Sequence, residues 1–273
     1  MAEPRIVTFT SDYGLEDEFV GVCHGVMLNI SPDLRIVDVH HNVLRQDVRH
    51  GAIVLAQSVK YLPKATHLAV VDPGVGSTRK AIAVVSSSGS VFVGPDNGLL
   101  VPAAETGGRI EAAYELSNEQ FLLTPISHTF QGRDVFAPAA AHIASGLAAD
   151  ELGPEIPVDD LVRLEIAEAW VHDDHLHGEV LQVDRFGNLQ FNFDRSHLAK
   201  VGLEEKSKLE VRMEGHRLQV VFGATFAEVD SGEFVLVEDS YGQVSLAVNK
   251  GDAGAKLRAS NGSTVIVGPA LGE

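Results

Sequence analysis

The first 150 residues alternate short apolar runs with longer amphipathic stretches, and this rhythm restricts the chain to few folds. "RIVTFT" (5–10), "LRIVDVHH" (34–41) and "THLAVVD" (66–72) are rich in β-branched residues and read as strands. Between them, "EFVGVCHGVMLNI" (18–30) and "QDVRHGAIVLAQSVKYL" (46–62) have the length and spacing of helices. That order predicts an α/β unit with a central, mostly parallel sheet under helical cover. "AIAVVSS" and "SVFVGP" add two strands before Asp96-Asn97-Gly98, and "RDVFAPAAAHIASGL" (133–147) adds a helix. Sheets of this kind place their ligands in polar loops at strand ends.

Around residue 150 the texture changes. "DELGPEIPVDDL" sets two prolines among acids, and beyond it come short β-rich segments: "GEVLQVDRFGNLQFN", "KLEVRM", "HRLQVVFG", "EFVLVEDSYGQVSLAV" and "STVIVG". Their spacing predicts a small β-barrel or sandwich. The expected division is an α/β domain over 1–165 and a β domain over 166–273, consistent with a 273-residue chain longer than the ~150 residues of one domain. A hydrophobic content of 45% suffices for the cores, while 21 Lys+Arg against 38 Asp+Glu leave a net charge of −17. Such a charge repels a phosphate backbone and argues against nucleic acid as a partner. Cys23 is the only cysteine, which fits a reducing cytoplasm; the start shows no leader pattern, and no apolar run approaches the ~20 residues of a membrane span. The expectation is a soluble cytoplasmic protein with no membrane partner.

Several strand-end loops can carry chemistry. Asp12, after the first strand, can accept hydrogen bonds from a vicinal diol or cap a turn before the helix. Asp72 ends the apolar strand "LAVVD", and the glycine turn "PGVGST" returns Arg79 seven residues on, either as a functional pair or as a structural ion pair. "PISHTFQGRDVFAP" (125–138) offers His128 before a helix, with Gly132 where backbone can approach a ligand closely. Asp, Arg and His together can position and polarise a water. "VHDDHLHGEV" (171–180) concentrates His172, Asp173, Asp174, His175 and His177, yet lacks the i, i+4 arrangement of helical zinc motifs; it reads as a solvated loop, and no metal is assigned. In "VDRFGNLQFN" (183–192), Asn188 has the donor and acceptor that an adenine edge requires and Phe186 can stack on a base, with a hairpin turn as the competing reading. No GxGxxG or GxxxxGK[ST] pattern is present, which argues against dinucleotides and nucleoside triphosphates.

Taken together, "TFTSDYG", "VVDPGVGSTR", "GPDNGLL", "SHTFQGRDVFAPAAA", "VDRFGNLQFN" and "DSYGQVSLAVNKGDA" resemble, in order, the motifs of the S-adenosyl-L-methionine hydroxide adenosyltransferase family, relatives of the fluorinase and chlorinase. The resemblance implies an N-terminal α/β domain, a C-terminal β-barrel, a homotrimer with sites at subunit interfaces, and hydrolysis of S-adenosylmethionine to adenosine and L-methionine without a cofactor. It makes Asp72, Arg79 and His128 the water-activating set. Asp12 matches the position that holds the ribose hydroxyls, Asn188 the one that reads adenine and Phe186 an aromatic beside that ring. Asp17 and Asp184 match positions near the methionine amino group, and Ser240 one that meets its carboxylate. Phe130 and Gly132 are carried over as substrate contacts. Tyr241, also carried over, stands where the fluorinase has an arginine. The halide enzymes lack the carboxylate at Asp72, so the resemblance favours water over halide; a halogenase of the same fold and a non-catalytic nucleoside-binding protein are the alternatives.

Overall fold

A computed structural model describes residues 5–270, which fall into two compact units dividing between Leu164 and Glu165. The first contains strands β1 (Ile6–Ser11), β2 (Arg35–His40), β3 (Thr66–Val70), β4 (Ala81–Ser86), β5 (Val91–Pro95), β6 (Ile110–Glu115) and the short β7 (Glu155–Ile156). Its helices are α1 (Phe19–Ile30), α2 (Val48–Val59), α3 (Val101–Thr106) and α4 (Ala137–Ala144). The strands order as β2-β1-β3-β5-β4-β6-β7, parallel from β2 to β5 and antiparallel beyond.

Both faces of this sheet are covered, so its central strands are apolar without alternation. Leu68 and Val70 of β3 pack with Val20, Cys23 and Met27 of α1 and with the alanines of α4. Ala69 and the following Val71 point to the opposite face, among Ala52 and Leu55 of α2 and Ala103 of α3. The helix expected over 133–147 starts as a π-helical turn at Gly132–Phe136 and continues as α4. The extra residue per turn displaces the preceding loop relative to a regular helix start, a distortion frequent at functional sites.

The second unit contains β8 (Trp170–His172), β9 (His175–Val183), β10 (Leu189–Asp194), β11 (Lys208–Met213), β12 (His216–Gly223), β13 (Phe234–Glu238), β14 (Gln243–Val248) and β15 (Thr264–Pro269), with short helices α5 (Arg195–Lys200) and α6 (Ala253–Leu257). β10 pairs with both β14 and β9, which closes seven strands into a barrel and excludes the sandwich. Closure removes the exposed sheet edges that a sandwich would have to protect. Phe191 and Phe193, two apart on β10 and therefore on one face, stack at 5.1 Å in an interior shared with Phe222, Leu209 and Leu246. The histidine-rich stretch expected as a solvated loop is instead a hairpin: β8 pairs with β9, Asp173 takes a left-handed φ of 53° at the turn, and Trp170 stacks on His177 at 4.0 Å. Cross-strand stacking makes this polar segment regular. Among the described residues, no helix is long and apolar enough to cross a membrane.

Candidate active site

In the first unit, the chemistry collects at the carboxyl ends of β1 and β3. These strands are adjacent and parallel with Ser11 opposite Val70, so Asp12 and Asp72 emerge from neighbouring strand ends. Asp12 N–H donates to Val70 O, and its Oδ2 accepts from Gln46 N–H at 2.8 Å. Its loop is fastened from beneath: Tyr13 N–H donates to Ser11 Oγ and Gly14 N–H to His41 O.

The turn after β3 brings Arg79 back onto Asp72. Its guanidinium grips the carboxylate with two donors, Nε on Oδ1 at 3.1 Å and Nη2 on Oδ2, and the two side chains are only 8% and 6% exposed. Nη2 also donates to Gln131 Oε1 at 2.7 Å, and the guanidinium lies 5.4 Å from the Phe136 ring centre. Gly76 makes the turn possible: its φ is +78°, and a side chain there would place Cβ 2.7 Å from His128 O. Burial pushes the Asp72 carboxyl above its ordinary range, and the opposing attraction of Arg79 does not cancel it. The result is a desolvated carboxylate with raised proton affinity, held in one orientation.

The 127–131 loop meets this turn through Gly76 and Gln131. Beneath it the fully buried Asp134 accepts from Ser127 N–H at 2.8 Å and from both Nε and Nη2 of Arg133, so the loop is anchored by charge-assisted bonds. His128 itself is exposed and is joined to the Asp72 turn by its backbone. Over Gly132, where the sequence predicts close approach of a ligand, the space belongs to Tyr13, whose hydroxyl a methyl group would overlap. Tyr13, Phe19 and Phe130 form an aromatic cluster there, with edge-on contacts of 5.9 Å for Tyr13–Phe130 and 5.2 Å for Phe19–Phe130. Asp17 is exposed in the bend before α1.

On the barrel unit, two turns of the same design flank a cavity of about 930 Å³. Asp184 accepts from Phe186 N–H at 2.8 Å and Asn188 N–H at 2.9 Å through Oδ1, and from Asn188 Nδ2 at 2.7 Å through Oδ2. Asp239 likewise accepts from Tyr241 N–H at 2.8 Å and Gln243 N–H at 3.1 Å through Oδ1, while its Oδ2 takes Gln190 Nε2 and Ser245 Oγ. Each turn ends in a glycine of left-handed φ, 81° at Gly187 and 80° at Gly242. Both present an aromatic at the cavity mouth, Phe186 at 76% exposure and Tyr241 at 37%. Asn188 and Ser240 line the same cavity. Asp184 thus spends its carboxylate on its own turn, within a β9–β10 hairpin.

Sequence reasoning missed Gln131, Asp134 and Asp239. The recurrence of Asp-x-aromatic-Gly in "DRFG" and "DSYG" was available as the signal for Asp239; nothing in the sequence marks Gln131 beyond its nearness to His128.

A desolvated, guanidinium-clamped carboxylate at strand ends in one unit and an aromatic-rimmed cavity on the other are features of an enzyme acting on a small organic molecule. The chain belongs to the SAM hydroxide adenosyltransferase family: the model of the N-terminal domain matches residues 7–153 and that of the C-terminal domain residues 178–266. A similar protein named (R)-S-adenosyl-L-methionine hydrolase, from Salinispora tropica, is 45% identical over 98% of this chain and 99% of its own. Another of that name, from Thermus thermophilus, is 38% identical over 96% and 98%. A fluorinase from Nocardia brasiliensis is 30% identical over 89% and 90%. Among solved structures, an uncharacterized conserved protein from Thermotoga maritima superposes with a TM-score of 0.90 at 33% identity, covering 96% of this chain and 99% of that one.

Proposed function

We propose that this protein hydrolyses S-adenosyl-L-methionine to adenosine and L-methionine, by attack of an activated water on the ribose C5′. The observation that carries this reading is the Asp72–Arg79 pair, a buried carboxylate whose proton affinity is raised although a guanidinium holds it. The sulfonium of the substrate is already an activated leaving group, so catalysis reduces to aligning a nucleophile behind C5′ and removing its solvent; no cofactor is required. Asp72 takes the water's proton as the C5′–O bond forms and the C5′–S bond breaks, with the sulfonium's electron pair leaving on methionine. Arg79 fixes the carboxylate's direction and His128 completes the set. A carboxylate in this place repels halide ions and tolerates neutral water, which favours hydrolysis over halogenation.

In this reading Asp12 binds the ribose hydroxyls, Asn188 reads the adenine edge and Phe186 stacks on the ring. Asp17 and Asp184 serve the amino group, Ser240 meets the carboxylate, Tyr241 lines the pocket beside it, and Phe130 shapes a wall to which Gly132 contributes by making room for Tyr13. The protein acts in the cytoplasm as a homotrimer, its sites completed between subunits. Support comes from the family and from the placement of these residues in different units of the chain.

Incubation with S-adenosylmethionine in oxygen-18 water, followed by chromatography and mass spectrometry, tests the reaction. Adenosine and methionine are expected in equal amounts, with label on the 5′-oxygen in the first turnover. Unlabelled adenosine from a single turnover would point to a covalent carboxylate intermediate, and a 5′-halo nucleoside in chloride buffer would replace hydrolysis by halogenation. Refolding a mixture of inactive Asp72→Ala and Asn188→Ala chains is expected to restore roughly a quarter of sites if subunits share them in a closed ring. Zero recovery would refute sharing.

A further inference from the structure

Behind the Asp12 loop, two histidine side chains of the first unit converge on one carboxylate oxygen. His24 on α1 and His41 just after β2 both direct Nε2 at Oδ1 of Asp38 on β2, at 2.8 and 3.0 Å. One ligand atom from each residue lies within 4.8 Å of the other two, and among the described residues this is the one His/Cys/Asp/Glu group so arranged. The His41 ring is buried and held on several sides: Nδ1 meets Ser11 Oγ at 2.7 Å, and the Phe9 ring packs edge-on at 4.7 Å. His24 leans on the same Phe9 ring at 6.1 Å. Asp38 keeps 44% of its side chain exposed, so the cluster opens to water on one side.

We propose that His24, Asp38 and His41 form a binding site for a divalent transition-metal ion of the zinc type, with Ser11 as the partner that orients His41. Two imidazole nitrogens and one carboxylate oxygen, with water completing the set, suit a borderline ion in tetrahedral geometry; calcium and magnesium prefer oxygen alone. Bonds of about 2.0–2.1 Å in a tetrahedron put ligand atoms roughly 3.4 Å apart. The present 2.8 and 3.0 Å separations therefore open by about half an ångström, which the partly exposed His24 and Asp38 can supply while His41 stays fixed. Each imidazole keeps one proton: in His41 it moves to Nδ1 and is donated to Ser11 Oγ, freeing the Nε2 lone pair for the ion.

The same Ser11 and His41 fasten the loop that presents Asp12, so a bound ion braces that loop from behind. It takes no part in the displacement at C5′.

The test is titration of the chelator-treated, untagged full chain with Co2+, read by visible absorption and by thermal melting. One equivalent is expected to give the intense bands of tetrahedral cobalt and to raise the melting temperature. His24→Ala and Asp38→Ala should lose both effects, Ser11→Ala should bind about tenfold more weakly, and a His172→Ala/His175→Ala/His177→Ala hairpin variant should keep both. If Asp38→Ala does not fold, His24→Ala alone decides. No tetrahedral spectrum in the wild type, or one that survives His24→Ala and disappears in the hairpin variant, overturns the proposal. Turnover of S-adenosylmethionine by the chelator-treated chain separates this question from the reaction, since hydrolysis is expected to persist without the ion.

Discussion

Replacing Asp72 by Asn tests what this buried carboxylate is for. Because burial raises its carboxyl above the ordinary range despite Arg79, the folded chain binds this proton at a higher pH than the unfolded chain does. Between those two values stability falls as pH rises, so near neutrality the ionised Asp72 is a net cost to the fold. Asn removes the charge, keeps the shape, and leaves one carbonyl oxygen for Arg79, whose guanidinium retains Gln131 Oε1 and the face of Phe136. Relief of the carboxylate's burial cost, with the amide oxygen still accepting from Arg79, offsets part of the roughly 3–5 kcal/mol that removing one partner of a buried pair takes, so the expected loss of unfolding free energy is about 1–3 kcal/mol. A pair maintained for stability would lose the full penalty of about 3–5 kcal/mol. Turnover should behave oppositely: loss of the general base is expected to lower kcat by about 10²–10⁴, roughly 3–5 kcal/mol of barrier, with KM little changed. Arg79→Met supplies the contrast, since it strands a buried carboxylate; it should destabilise the fold at neutral pH and recover part of that loss as the medium is acidified. Urea unfolding at two pH values and adenosine formation by chromatography measure both sides. An Asn variant that loses several kcal/mol of stability yet keeps its kcat would make the pair structural and refute the reasoning.

Gly132→Ala should destabilise the protein by about 1–3 kcal/mol, because a methyl group overlaps the Tyr13 hydroxyl. Adding Tyr13→Phe should return part of the loss in thermal melting, and no recovery would mean that the clash lies elsewhere. Phe186→Ala, at a highly exposed position, should leave stability within about 0.5 kcal/mol and weaken substrate binding by the roughly 1–3 kcal/mol of one base stack, seen in KM. Asp134→Ala should cost about 1–3 kcal/mol, because Ser127 N–H would lose its acceptor and the partly exposed Arg133 its buried partner. Calorimetry showing a loss below 1 kcal/mol would refute that role.

Much of the fold was legible because burial wrote it into residue type. β3 is apolar on both faces since helices cover both, and its run of Leu, Ala and Val allows little else than a central strand. The hairpin turn between β9 and β10 was legible through Gly187, where the left-handed backbone selects glycine; the matching turn at Gly242 lay inside a stretch that reads as one β-rich run. β6 and α3 were not: "IEAAYE" and "VPAAET" are short, rich in alanine, and become strand or helix only by docking on β4 and α2. The hairpin at 170–177 escaped because its order comes from Trp170 stacking on His177, a cross-strand contact that no local pattern announces.

At the site, residue type revealed which groups were chemical but not where each spends its hydrogen bonds. Asp72 and Arg79 were legible as a pair because a charge ending an apolar strand needs a partner within reach of the next turn. Asp184 looked equally available, yet three N–H donors of its own turn occupy it. An ionised carboxylate has about four acceptor positions, so one remains for a ligand ammonium, and a shared oxygen gives up less to a new donor than a free one. Asp17, exposed before α1, has no such obligation among the described residues. If both meet the amino group, Asp17→Asn should therefore raise KM more than Asp184→Asn, whereas Asp184→Asn should chiefly loosen the turn that aims Phe186 and Asn188. The reverse order in KM, with the turn intact by hydrogen exchange, would mean that the ligand takes donors away from the turn.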